Sequence, residues 1–121
     1  MARNIVSGMR KGSVDRVAYC GSMGVDDELT GVIGKGVALV LRHALADHRA
    51  ALDLYESARM NLTVARPTSL GNGAFVPDYV ETFTGMPAMA RPIPRACVAD
   101  FLVKALEQPE IYGNTSVGLS I

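Results

Sequence analysis

Ala2, Ile5, Val6 and Met9 fall at i, i+3, i+4 and i+7, a spacing that predicts an amphipathic helix at the start of the chain. Arg10 and Lys11 in its last turn, with Gly12 after them, supply the stop signal. Val14–Cys20 predicts a strand; Val17, Ala18, Tyr19 and Cys20 make its second half apolar on both faces, as a strand covered from two sides requires. Residues 24–36, rich in glycine and acid, predict a loop, and Val37–Leu45 a short helix. In Asp47–Met60, His48, Ala51, Leu54, Tyr55 and Ala58 share one helical face. "NLTVARP" alternates as a strand that Pro67 stops, and "SLGNG" is turn chemistry.

Ala74–Pro94 holds four of the six prolines without a clear period. It reads as a long ordered loop of the kind that closes over a site. Val98, Phe101, Leu102 and Ala105 mark a further amphipathic helix. At the end, Thr115, Val117, Leu119 and Ile121 alternate with Asn114, Ser116, Gly118 and Ser120, a strand with one buried face. Strands separated by helices predict an α/β fold with a mostly parallel sheet and flanking helices, in one domain of 121 residues.

Twelve basic and twelve acidic residues cancel, so bulk charge points to neither nucleic acid nor an acidic membrane. The longest wholly apolar run, Val37–Leu41, is far short of the ~20 residues of a membrane span, and Met1–Asn4 leads into no apolar signal segment. A cytoplasmic protein is expected. Cys20 and Cys97 fit no zinc spacing and read as buried, reduced thiols. His43 and His48, five apart, miss the i,i+4 spacing of a helical metal pair, and His48 reads as a packing histidine. No metal site is expected.

Ser22 stands where an apolar strand ends. In open parallel sheets that edge lines the ligand crevice, so the hydroxyl either faces a substrate or serves as a turn or capping residue. Gly31–Gly36, "GVIGKG", has the glycines of a phosphate loop without the GxGxxG order, and no strand runs directly into it. It reads as an active-site flap or a plain loop.

Three segments carry a resemblance: "NIVSGMRKGSVDRVAYCGSMGVDD", "DHRAALDLYESARMNLTVARPTSLGNG" and "IPRACVADFLVKALEQPEIYGNTSVGLS". In this order and spacing they resemble the C-terminal half of atypical, NmrA-like short-chain dehydrogenase/reductases, within them the flavin reductase/biliverdin-IXβ reductase type. The resemblance implies a Rossmann-type sheet, NADPH as cofactor, and reduction of a flavin, quinone or similar planar acceptor. It places Gly21 and Ser22 beside the nicotinamide and acceptor, with Ser22 as the catalytic candidate, and Arg66, Pro67, Thr68 and Ser69 along the nicotinamide. Arg66 has a second reading, an ion pair with an acid that supports the strand end.

The family's first strand, glycine-rich pyrophosphate turn and 2′-phosphate-binding basic residue have no counterpart here. Nor does the Tyr-x-x-x-Lys pair of typical members; the nearest lookalike, Tyr55 and Arg59, reads as packing plus a surface charge. Cys97 stands where relatives often carry an aspartate ahead of the last helix. The chain then resembles an enzyme half that binds NADPH weakly or not at all alone. The Val14–Cys20 strand becomes an edge that invites a homodimer or a partner supplying the N-terminal half. The alternatives are a non-catalytic truncated paralogue acting as scaffold subunit or NmrA-like regulator, and a fragment with no role of its own.

Overall fold

The computed structural model describes residues 1–26, 28–87 and 91–121; Asp27 and residues 88–90 of the Ala74–Pro94 span lie outside the described residues. The elements run α1 (Ala2–Lys11), β1 (Arg16–Cys20), α2 (Gly31–Val40), α3 (Arg42–Ser57), β2 (Asn61–Pro67), β3 (Leu70–Gly71), β4 (Val80–Thr82), β5 (Ile93–Pro94), α4 (Arg95–Glu107), α5 (Pro109–Tyr112) and β6 (Thr115–Ser120). The main sheet has the order β1-β2-β6-β4. β1, β2 and β6 are parallel, and β4 returns antiparallel along β6. The expected α/β architecture with its mostly parallel sheet is what the chain adopts.

β2 explains the layering. It is paired on both sides, so six of its seven residues are buried and successive side chains feed opposite cores. Leu62 and Val64 pack with Leu52 and Tyr55 of α3, and with Val6 and Met9 of α1. Ala65 joins Val117 and Leu119 of β6 and Cys97, Val98, Phe101 and Ala105 of α4. Helices therefore cover both faces. Buried Thr63 donates its hydroxyl proton to the Tyr112 carbonyl at 2.7 Å.

Several expectations are corrected. Val14–Cys20 narrows to Arg16–Cys20; its middle is half-buried and Cys20 is exposed, because β1 is the outer strand of the sheet. Both cysteines are free, and only Cys97 is buried. Gly31–Gly36 is helix, not flap or loop. A Cβ at Gly34 would lie 3.0 Å from the Leu29 carbonyl carbon, so the missing side chain lets α2 settle on Leu29. The helix boundaries fall elsewhere too: the break comes at Leu41, and Asp47 lies inside α3. After α3, Arg59 turns left-handed at φ 58°, unassisted by glycine. Cys97 lies in the first turn of α4 rather than ahead of it.

The Ala74–Pro94 span contains β4 and β5, and "SLGNG" contains β3, which pairs β5. Because β4 covers one flank of β6, Gly118 and Ser120 are buried along with Val117 and Leu119, and β6 has two buried faces where one was expected.

β4 is fastened to α4 by a polar cluster. Tyr79 donates to Asp100 Oδ2 at 2.8 Å, and Tyr112 to Glu81 Oε2 at 2.8 Å. Lys104 pairs with Glu81 and sits 4.9 Å from the Tyr79 ring centre. Burial first, then the Asp100 carboxylate, push the Tyr79 phenol from 10.0 up to about 12, against the pull of Lys104. The fold thus favours the protonated phenol. Its contribution is whole below pH 10.0 and is lost as pH rises towards about 12. The urea midpoint should fall over that interval, and less steeply in Tyr79→Phe; equal slopes in the two proteins would refute the assignment.

Candidate functional site

Gly21 and Met23 donate their amides to the carbonyls of Ala65 and Pro67 at 2.9 and 3.0 Å. The segment leaving β1 therefore continues along β2. Ser22 is held beside Arg66 and Pro67, and two of the segments singled out in the sequence meet at the carboxyl ends of neighbouring parallel strands, the place where open α/β sheets bind ligands. The Thr68 amide donates to the Leu119 carbonyl at 3.0 Å, and its hydroxyl to the Arg91 carbonyl. Ser69 is exposed and accepts the Ile93 amide on its carbonyl at 2.9 Å.

Arg66 is the buried charge of this region, with 3% of its side chain exposed. Nη1 meets Glu28 Oε1 at 2.6 Å, and Nε meets Asp26 Oδ2 at 3.2 Å and Ser116 Oγ at 2.9 Å. Glu28 also accepts the backbone amides of Gly24 (2.8 Å) and Asp26 (3.1 Å). The ion-pair reading of Arg66 holds. Its guanidinium is committed to the 22–28 segment, which leaves Ser22, Thr68 and Ser69 as the hydroxyl-bearing side chains of the rim.

Ser22 is half-buried, and among the described residues its hydroxyl donates to the neighbouring Met23 carbonyl alone, at 3.2 Å, so its oxygen keeps acceptor capacity. Ser120, at the carboxyl end of β6, is 1% exposed, and its Oγ has no hydrogen-bond partner among the described residues. An orphaned hydroxyl at this edge suits a polar ligand group. These groups fit a nicotinamide ring and its carboxamide. Among the described residues no strand runs directly through a glycine turn into a helix, the device that holds a pyrophosphate.

A cleft of about 950 Å³ follows β1, lined by Tyr19, Cys20, His48 and Tyr55 among others. Tyr19 Oη and His48 Nδ1 are 2.8 Å apart, so His48 has its polar partner within the packing, as expected of it. Although Cys20 is exposed as a residue, the packing around its thiol desolvates it and raises it above its ordinary value, which favours the less nucleophilic protonated form. No cluster of metal-ligating side chains is present among the described residues. Sequence reasoning missed Asp26, Glu28, Ser116 and Ser120; only the alternative reading of Arg66 as one member of an ion pair pointed towards its two acids.

Breaking a buried ion pair leaves an uncompensated charge, at a cost of roughly 3–5 kcal/mol. Arg66→Met and Glu28→Leu should each destabilise the protein by about that amount, and the double variant by clearly less than their sum. Urea unfolding at neutral pH reads this; additive losses would mean that the two residues do not act as a pair.

The profile of a family described as NAD(P)H-binding matches residues 1–109. No protein with a curated description matches the sequence. Among solved structures, a wide-type short-chain dehydrogenase/reductase from Veillonella parvula, in complex with NADP, superposes with TM-score 0.78 at 20% identity, over 99% of this chain and 57% of its own. ChuY from Escherichia coli, an anaerobillin reductase, gives TM-score 0.79 at 16% identity over 98% and 56%. A Rossmann-fold NAD(P)-binding family protein from Shigella flexneri gives 0.70 at 21% over 98% and 52%. These likenesses establish a shared fold, and the chain spans little more than half the length of each protein. By the extent of the profile match, the chain belongs to the NAD(P)H-binding family.

Proposed function

We propose that this chain forms the nicotinamide- and acceptor-side part of an NAD(P)H-dependent reductase, acting on a flavin, quinone or similar planar acceptor. The observation that carries the reading is the meeting of Gly21-Ser22 with Arg66–Ser69 at the carboxyl ends of β1 and β2, in a chain of the NAD(P)H-binding family. The reductase named among the structural likenesses supports the direction of the chemistry. NAD(P)H, when bound, supplies the hydride. The Ser22 hydroxyl positions the nicotinamide carboxamide or the acceptor by a hydrogen bond, and the buried Ser120 hydroxyl offers a second polar anchor.

The reading requires a nucleotide-binding half, from the same protein or from a partner, to hold the pyrophosphate. The free side of β1 is where such a half adds its strand: Arg16–Cys20 pairs β2 on one flank only. A second copy of the chain is the other candidate for that edge.

Without the pyrophosphate turn, the 121-residue chain should bind NADPH no tighter than roughly millimolar, about −4 kcal/mol. A calorimetric constant in the low micromolar range would contradict the need for a second half. Once activity is reconstituted with such a half, Ser22→Ala should lower turnover about five- to 150-fold, the worth of one hydrogen bond of roughly 1–3 kcal/mol. Unchanged turnover would return Ser22 to a turn residue.

A further inference from the structure

A surface helix ordinarily turns its large apolar side chains inward, and α2 does the reverse. Gly34 and Ala38 are half-buried on its inner side. Val32, Ile33, Leu39 and Val40 point outward with 90%, 85%, 63% and 81% exposure. With Gly36 these positions follow i, i+1, i+4, i+7 and i+8, one continuous stripe. Lys35 borders it on α2, and Arg42 and His43 open α3 directly after the break at Leu41. From Leu29 through Ala46 the chain carries no carboxylate. The overall charge balance conceals this local segregation.

We propose that α2 is a membrane-surface contact, lying flat on an anionic bilayer with Val32, Ile33, Leu39 and Val40 among the lipid chains and Lys35 and Arg42 at the phosphates. Two arguments select lipid over protein. Bases without acids complement anionic headgroups. A ten-residue helix, about 15 Å long, also offers a footprint far below the ~800 Å² per partner of a stable protein interface, whereas a bilayer needs no shaped counterpart. The contact is peripheral: among the described residues no helix is long and apolar enough to cross a membrane.

Flotation of the purified chain with phosphatidylcholine vesicles, with and without a quarter of phosphatidylglycerol, tests this. The chain should float with the anionic vesicles and much less with the neutral ones. Lys35→Glu and Arg42→Glu should each weaken binding at least about fivefold. The double variant Ile33→Asp/Val40→Asp should abolish it while circular dichroism and the thermal midpoint stay unchanged, since neither side chain supports the core. No flotation with anionic vesicles would overturn the proposal, as would flotation that survives Ile33→Asp/Val40→Asp. A concentration-dependent dimer lost in that double variant would overturn it in favour of a second copy on the stripe.

Discussion

A guanidinium with 3% of its surface exposed has to be neutralised where it sits, and Arg66 is neutralised by Glu28 and Asp26. Both acids belong to the segment that leaves β1, while Arg66 belongs to the central strand β2. The ion pair therefore ties the segment after one strand to the body of the next. It works together with the amides of Gly21 and Met23, which extend the β1–β2 ladder past the end of β1. Ser116 adds β6, bridging between Arg66 Nε and Asp26 Oδ2. Three neighbouring parallel strands thus converge on one charge.

This constraint decides what the sheet edge presents. Because Met23, Asp26 and Glu28 are drawn onto β2 and β6, Ser22 stands beside Pro67, while Ser120 closes the end of β6 with its hydroxyl unpartnered among the described residues. The rim carries hydroxyls above one guanidinium and two carboxylates, so the cluster beneath it is net negative. Hydroxyls above a net negative cluster suit an uncharged hydrogen-bonding group better than a phosphate. This fits the proposed arrangement, in which this chain would orient the reacting rings and a second half would hold the nucleotide's charges.

The parts of the fold legible in the sequence are those with their own period. β2, β6 and α4 bury a regular apolar set, and the pattern survives into the structure; in α1 only Ala2, Val6 and Met9 of the predicted face pack inward, half-buried, while Ile5 is exposed. The first part of α2, Gly31–Gly36, was illegible because its three glycines outweigh its apolar residues in helix propensity, whereas Val37 onward reads as helix; the close seat of Gly34 on Leu29 offsets that cost. β4 and β5 are three and two residues long, and their register comes from β6 and β3 rather than from any alternation of their own. The second buried face of β6 was hidden for the same reason. At the site, Gly21-Ser22 and Arg66–Ser69 could be read from the resemblance, but Asp26 and Glu28 look like ordinary solvated loop acids. Glu28 meets its partner 38 positions away, and only the parallel pairing brings them together.

The central claim is that the Arg66–carboxylate pair holds the 22–28 segment in place and so builds the rim. Native-state hydrogen exchange at the Gly24 and Asp26 amides, both bonded to Glu28, tests it most directly. The account predicts that both amides are protected in the wild-type chain and lose most of that protection in Arg66→Met, while the β2 amides stay protected. Exchange of Gly24 and Asp26 at free-loop rates in the wild type, or protection that persists without Arg66, would contradict it.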